Sequence, residues 1–263
     1  MSRFPSLSTL CFAATCLVVG LSSATSSAET GTLRIKFTLK GDAKNLPPLK
    51  PNVDQAFCGK EQIPDESLLV NPEDNGIKNV IVYVYTGRRG GTKLPKMELK
   101  AETHILANEA CRFEPHVVIA KKGDTIKVTN PDKVGHNANF SFLENKPANP
   151  TIPAGGEVEI ELKEAEPAPI PVACNIHSWM KAQIVVMDHP FSAVSNENGV
   201  LEISGLPTGE IVFRANHETG SLKDVVVNGK KTSWRASRFE MDIKPGMNDM
   251  GVVEIPLEAF DNN

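Results

Sequence analysis

The chain has few aromatic residues, 6% of 263, and no long apolar run. With nineteen glycines and nineteen prolines, that scarcity argues against a helix bundle and for a turn-rich, all-β protein. Its most apolar stretch, residues 10–20, is too short to cross a bilayer, so no membrane span is expected. A basic excess is also missing. Lys and Arg number 28 against 32 Asp and Glu, and a formal charge of −4 leaves no electrostatic footprint for nucleic acid. His-x-His pairs, paired carboxylates at a recognisable spacing, a nucleophile elbow and a phosphate loop are all lacking, which argues against an enzyme. The apolar share of 40% nevertheless suffices for a packed core, which rules out disorder of the whole chain.

Residues 1–28 read as an export signal. Arg3 supplies a short positive start, 10–20 an apolar middle, and Ser26-Ser27-Ala28 small residues for cleavage. The protein is therefore expected in the periplasm or secreted. Of five cysteines, two lie in that segment, leaving Cys58, Cys111 and Cys174. An odd count in an oxidising compartment implies one pair and one thiol with another task. Cys58 and Cys111 have polar, turn-like neighbours and form the expected disulfide; Cys174 is the thiol left over.

Alternation marks the strands. Leu33, Ile35, Phe37 and Leu39 share one face of a first strand, and 79–86 reads as a buried one. Further strands are expected at 116–120, 125–128, 158–162 and 183–187. After Met187 the rhythm shortens, with strands at 193–195, 200–203, 210–214, 224–227, 239–243 and 251–255 and hairpin turns at Asn198-Gly199 and Asn228-Gly229. The expected division is a β-sandwich over 29–187 followed by a smaller one over 188–263.

The segment Cys174-Asn175-Ile176-His177-Ser178-Trp179-Met180 sets a thiolate, an imidazole and a thioether three residues apart in a loop between strands. A second imidazole, His136, lies upstream. Two imidazoles and a thiolate with a weak thioether suit copper in both oxidation states. Zinc has no reason to recruit Met180, and an iron–sulfur cluster needs more thiolates than remain. The expected metal ligands are His136, Cys174, His177 and Met180. His104, His116, His189 and His217 read as surface or hydrogen-bonded histidines. Trp179 reads equally as a cover for the metal edge or as ordinary packing.

The run Gly123-Asp124-Thr125-Ile126-Lys127-Val128-Thr129-Asn130, then His136-Asn137, then 174–180 resembles a cupredoxin of the plastocyanin and amicyanin type, with the short Cys-x-x-His-x-x-Met loop. Residues 31–80 resemble exported methylamine-utilisation-like proteins. His189-Pro190-Phe191 and Gly205-Leu206-Pro207-Thr208-Gly209-Glu210 resemble carboxypeptidase regulatory-like domains. The resemblance implies a Greek-key cupredoxin sandwich followed by a regulatory-like sandwich, with Asn137 tying the first histidine's loop to the thiolate loop. Ser178 stands where many relatives have proline. The function implied is an exported type 1 copper protein carrying single electrons between protein redox partners, with His136 on the buried side and His177 nearer the surface. The alternatives are a non-catalytic binding or structural envelope protein, and a copper chaperone.

Overall fold

The computed structural model describes Met1, residues 29–41 and residues 46–260. Residues 2–28, nearly all of the expected export signal, lie outside the described residues, as do 42–45 and 261–263. The described chain is all-β, with nineteen strands and three single-turn 3-10 segments. Among the described residues no helix is long and apolar enough to cross a membrane.

The strands form two sandwiches, one inserted into the other. In the inner one, a sheet ordered Glu157–Glu161, Thr125–Thr129, Thr103–Glu109, Arg112–Glu114 faces a sheet ordered Val117–Lys121, Lys181–Met187, Ile170–Ala173, Asn139–Phe140. Alternation along Thr125–Thr129 turns Ile126 and Val128 inward, where they meet Leu106, Phe113, Phe140, Val172 and Ile184. Thr103–Glu109 runs parallel to Thr125–Thr129, and Val117–Lys121 parallel to Lys181–Met187. Parallel neighbours require the chain to cross between sheets rather than turn back as hairpins.

The outer sandwich draws on both ends of the chain. Its five-stranded sheet is ordered Val200–Pro207, Thr30–Lys40, Gly246–Pro256, Asp224–Val227, Lys230–Ser233. Facing it are Ser192–Val194, Ile81–Val84, Gly209–Asn216 and Arg238–Ile243. The expected faces are present: Leu33, Ile35, Phe37 and Leu39 all point into the core with Phe213, Trp234 and Val253. The partners differ from the expected 29–187 grouping, because the strands that Thr30–Lys40 and Ile81–Val84 pair with all belong to the outer sandwich. Alternation specifies which face a strand buries but not which strand lies beside it. Thr103–Glu109, absent from the expected strands, has only Leu106 and Asn108 buried and so lacks a clear apolar alternation.

Ile81–Val84 is buried on both faces. Val82 and Val84 enter the outer core, while Ile81 and Tyr83 meet Val117, Val185 and Met187 of the inner sandwich. This accounts for the unbroken apolar run, which serves two cores at once. Beside this seam lies buried His116, whose Nε2 is 3.0 Å from Glu218 Oε2 and whose Nδ1 is 3.5 Å from Glu66 Oε2. Burial opposes its charge, but Glu218 and Glu66 outweigh that and raise its pKa from 6.5 to about 9. For the neighbouring His217, burial prevails over Glu218 and lowers the pKa to about 4.

The two histidines act on opposite sides of neutrality. His116 adds stability that is complete below pH 6.5 and lost as pH rises through about 9. His217 must stay neutral, so stability is lost as pH falls from 6.5 through about 4. The thermal midpoint is expected to peak near pH 6.5 in a melting series from pH 4 to 10. His116→Gln should flatten the alkaline limb, which spans roughly 3 kcal/mol at most, and spare the acid limb. An alkaline limb unchanged in that variant would refute the assignment.

Candidate metal centre

One end of the inner sandwich is built by two loops, against which a strap over residues 46–63 packs. The first loop leaves Thr125–Thr129 and reaches the short strand His136–Asn137, which pairs with Thr151–Ile152. Buried Asn130 fixes its course: its Nδ2 donates to the carbonyls of Val134 and Ile152, both at 2.9 Å. The second loop joins Ile170–Ala173 to Lys181–Met187. It closes on itself, since Cys174 N–H donates to the Met180 carbonyl at 3.1 Å and Met180 N–H to the His177 carbonyl at 2.8 Å. Asn137 joins the loops. Its Oδ1 accepts from Asn175 N–H at 2.8 Å, from Ile176 N–H at 3.3 Å and from the Cys174 thiol at 3.3 Å.

These loops bring three of the expected ligands together. His136 Nδ1 and His177 Nδ1 are 3.0 Å apart, and Cys174 Sγ lies 3.7 Å from His177 Nδ1. One donor atom from each of the three residues falls within 4.8 Å of the others. His136 and His177 are wholly buried, and Cys174 is 2% exposed. Met180, also buried, packs in the same apolar cluster as Cys174. For His136, burial first and His177 next lower the pKa, while Asp132 resists.

Each imidazole is gripped from behind by a carboxylate. His136 Nε2 lies 2.9 Å from Asp132 Oδ2, and His177 Nε2 lies 3.0 Å from Asp54 Oδ2. An ionised carboxylate only accepts, so both Nε2 atoms are donors, which in a neutral imidazole leaves the Nδ1 lone pair directed inward. Two opposed lone pairs 3.0 Å apart are tolerable only with a proton or a cation between them. With metal–nitrogen bonds of about 2.0–2.1 Å and metal–sulfur bonds of about 2.3 Å, one ion can span both measured separations. The donor set, two imidazole nitrogens and a cysteine sulfur in an apolar shell with a thioether nearby, fits copper.

The carboxylates are the residues that sequence reasoning missed. Asp132 had a local signal, four residues before His136, whereas Asp54 is 123 residues from His177 and had none. His177, expected nearer the surface than His136, is itself wholly buried, with the 40%-exposed Asp54 bonded to it and the indole of Trp179 5.1 Å away by ring centroids. Trp179 also packs beside the disulfide, donating from Nε1 to the Cys111 carbonyl at 3.0 Å. That disulfide joins Cys58 to Cys111 as expected, and Cys174 is free. His189 bonds the Val84 carbonyl, and His104 bonds Asp124. Glu102, His104 and Asp124 form another cluster, already paired with Lys121, whose Nζ is 2.8 Å from Glu102 and 3.2 Å from Asp124.

No family profile matches the chain, and no curated protein is similar in sequence. Among solved structures, a Cu(I) form of an amicyanin mutant is 20% identical, covering 31% of this chain and 79% of that one, with a TM-score of 0.29. Another amicyanin mutant, in a reduced Cu(I) form at pH 4, is 22% identical over 31% of this chain and 79% of that one, again with a TM-score of 0.29.

Proposed function

We propose that the inner sandwich binds one copper ion through His136, Cys174 and His177, with Met180 as a weak fourth ligand, and that the protein is an exported one-electron carrier. What carries the reading is the convergence of two inward-facing Nδ1 lone pairs and a buried thiol, each imidazole being held from behind by its own carboxylate. Copper would supply a reversible one-electron couple. The chain's part is to keep the ligand frame still. Asn137 locks the two loops together, and the N–H of His177, 3.4 Å from Cys174 Sγ, steadies the sulfur. The apolar shell of Phe140, Val172, Met180 and their neighbours keeps water from the sulfur. Neither sandwich is assigned a catalytic step of its own. The outer one, whose 188–263 part is regulatory-like by its motif, serves as a non-catalytic binding module for a periplasmic or secreted protein whose partner is another redox protein.

The complete burial of His177 favours a second reading, a copper store or chaperone that holds Cu(I) without cycling. Titration of the protein with Cu(II), followed by visible absorption and EPR, separates the two. An intense sulfur-to-copper band at one equivalent, bleached by ascorbate and restored by an oxidant, is the result expected of a carrier. One equivalent of Cu(I) in a colourless protein supports the store, and no specific copper uptake overturns both.

A further inference from the structure

The two carboxylates behind the histidines are held very differently. Asp132 is 5% exposed and accepts three donors: Ala110 N–H at 2.8 Å on Oδ1, Cys111 N–H at 2.9 Å on Oδ2 and His136 Nε2 at 2.9 Å on Oδ2. The turn it serves is itself unusual, because Ala110 and Cys111 both have left-handed backbones, at φ 52° and 56°. Successive non-glycine residues in that region are costly, and the carboxylate compensates by taking both amides. Removing Asp132 would therefore dismantle a turn as well as a histidine contact.

Asp54 stands at the other extreme. Its side chain is 40% exposed, and its carboxylate holds His177 Nε2 at 3.0 Å. It belongs to the strap over residues 46–63, whose course is set by Leu49 N–H donating to the Ile63 carbonyl at 2.8 Å. The Asp54 carbonyl accepts the amides of Phe57 and Cys58, both at 2.9 Å, and Cys58 is bonded to Cys111. A continuous series of contacts thus runs from His177 through Asp54, Cys58, Cys111 and Asp132 to His136, and the facing Nδ1 atoms close it. Asp54 is the one member of that series with substantial exposure.

We propose that Asp54 is a positioning residue for His177 and the releasable cover of the metal centre, so that metal enters and leaves at the His177 edge when this carboxylate lets go. The inference rests on the copper reading for the identity of the metal but not for the cover itself. While Asp54 is bonded, the imidazole is held with Nδ1 inward and its outer edge is shut off from solvent. Once it releases, His177 becomes the first ligand to meet water, while His136 stays anchored by Asp132.

The test uses the full exported chain in two measurements. In the metal-free protein, histidines are labelled with diethyl pyrocarbonate and mapped by mass spectrometry. His177 is expected to be protected in the wild type and to label at least about tenfold faster in Asp54→Ala, with His136 still protected. Asp54→Asn, whose amide oxygen can still accept from Nε2–H, should restore protection to within about threefold. In the Cu(I)-loaded protein, copper transfer to a chelator should quicken by about 10–100-fold in Asp54→Ala and far less in Asp54→Asn. Equal labelling of His177 in wild type and Asp54→Ala overturns the proposal, as does His136 labelling in step with His177, which would mean general loosening. If the wild type takes up no copper but the labelling pattern appears, the copper reading fails and the cover stands. If copper binds normally and the labelling does not change, the cover fails and the copper reading stands.

Discussion

Cys174→Ser is expected to abolish the sulfur-to-copper absorption band entirely and to weaken copper binding by roughly 100-fold or more, beyond what loss of an outer hydrogen bond produces. The fold should survive. In the metal-free protein the thiol donates to Asn137 Oδ1 at 3.3 Å, and a serine hydroxyl can make the same bond from nearly the same place. Placing an oxygen where a 2%-exposed sulfur packs with Met180 costs about 1 kcal/mol, the usual scale for one buried polar group that keeps a partner. His136 and His177 would still converge, so weak, colourless copper binding should persist. Absorption, EPR and a thermal melt of the same sample check all three parts. A variant that keeps the intense band would remove Cys174 from the ligand set.

The double variant Cys58→Ser/Cys111→Ser carries the largest expected cost in stability. The bridge spans a sequence separation of 53, and closing a loop of that size in the unfolded chain corresponds to about 4 kcal/mol at room temperature. For a chain of this length that is a fall in melting temperature of roughly 8–16 °C. The effect should also reach the site, because the bridge unites the strap bearing Asp54 with the turn held by Asp132. His177 is therefore expected to lose its protection from labelling well below the global melting temperature, and His136 only with global unfolding. A change in stability below about 1 kcal/mol, with His177 still protected, would show that the strap is held by its apolar contacts alone. Those contacts are Leu49, Phe57 and Ile63 against Val134 and Trp179.

The parts of this molecule that were legible in its sequence are those governed by local spacing. The period of two along Thr30–Lys40 gave the right buried face, and the three-residue spacing of Cys174, His177 and Met180 marked the loop. For the disulfide, counting three cysteines beyond the expected signal left one pair, and the polar, turn-like neighbours of Cys58 and Cys111 picked it out. Sheet neighbours were not legible. A strand at 30–40 is equally amphipathic beside 125–129 or beside 246–256, and only the assembled ladder decides. The buried state of His177 was hidden for the same reason. Its cover comes from a strap distant in sequence, and an aspartate next to a valine and a glutamine carries no mark of the imidazole it will meet.

The position of Thr30–Lys40 between two later strands of its sheet sets an order in time. The strand has Val200–Pro207 on one side and Gly246–Pro256 on the other, and both emerge from the ribosome long after it does. At about 5–20 residues per second, the wait for the nearer partner is on the order of ten seconds or more. Every strand of the inner sandwich has been made by then, so the end that holds the candidate metal centre can be complete while the N-terminal strand is still unpaired. A lone strand bearing Leu33, Ile35, Phe37 and Leu39 is a template for aggregation. Arg34 and Lys36 put charge on the opposite face of the strand, acting as gatekeepers during the wait. In the finished fold they find Glu202 at 3.7 Å and Asp74 at 2.7 Å, so the charges that guard the growing chain end as ordinary surface ion pairs.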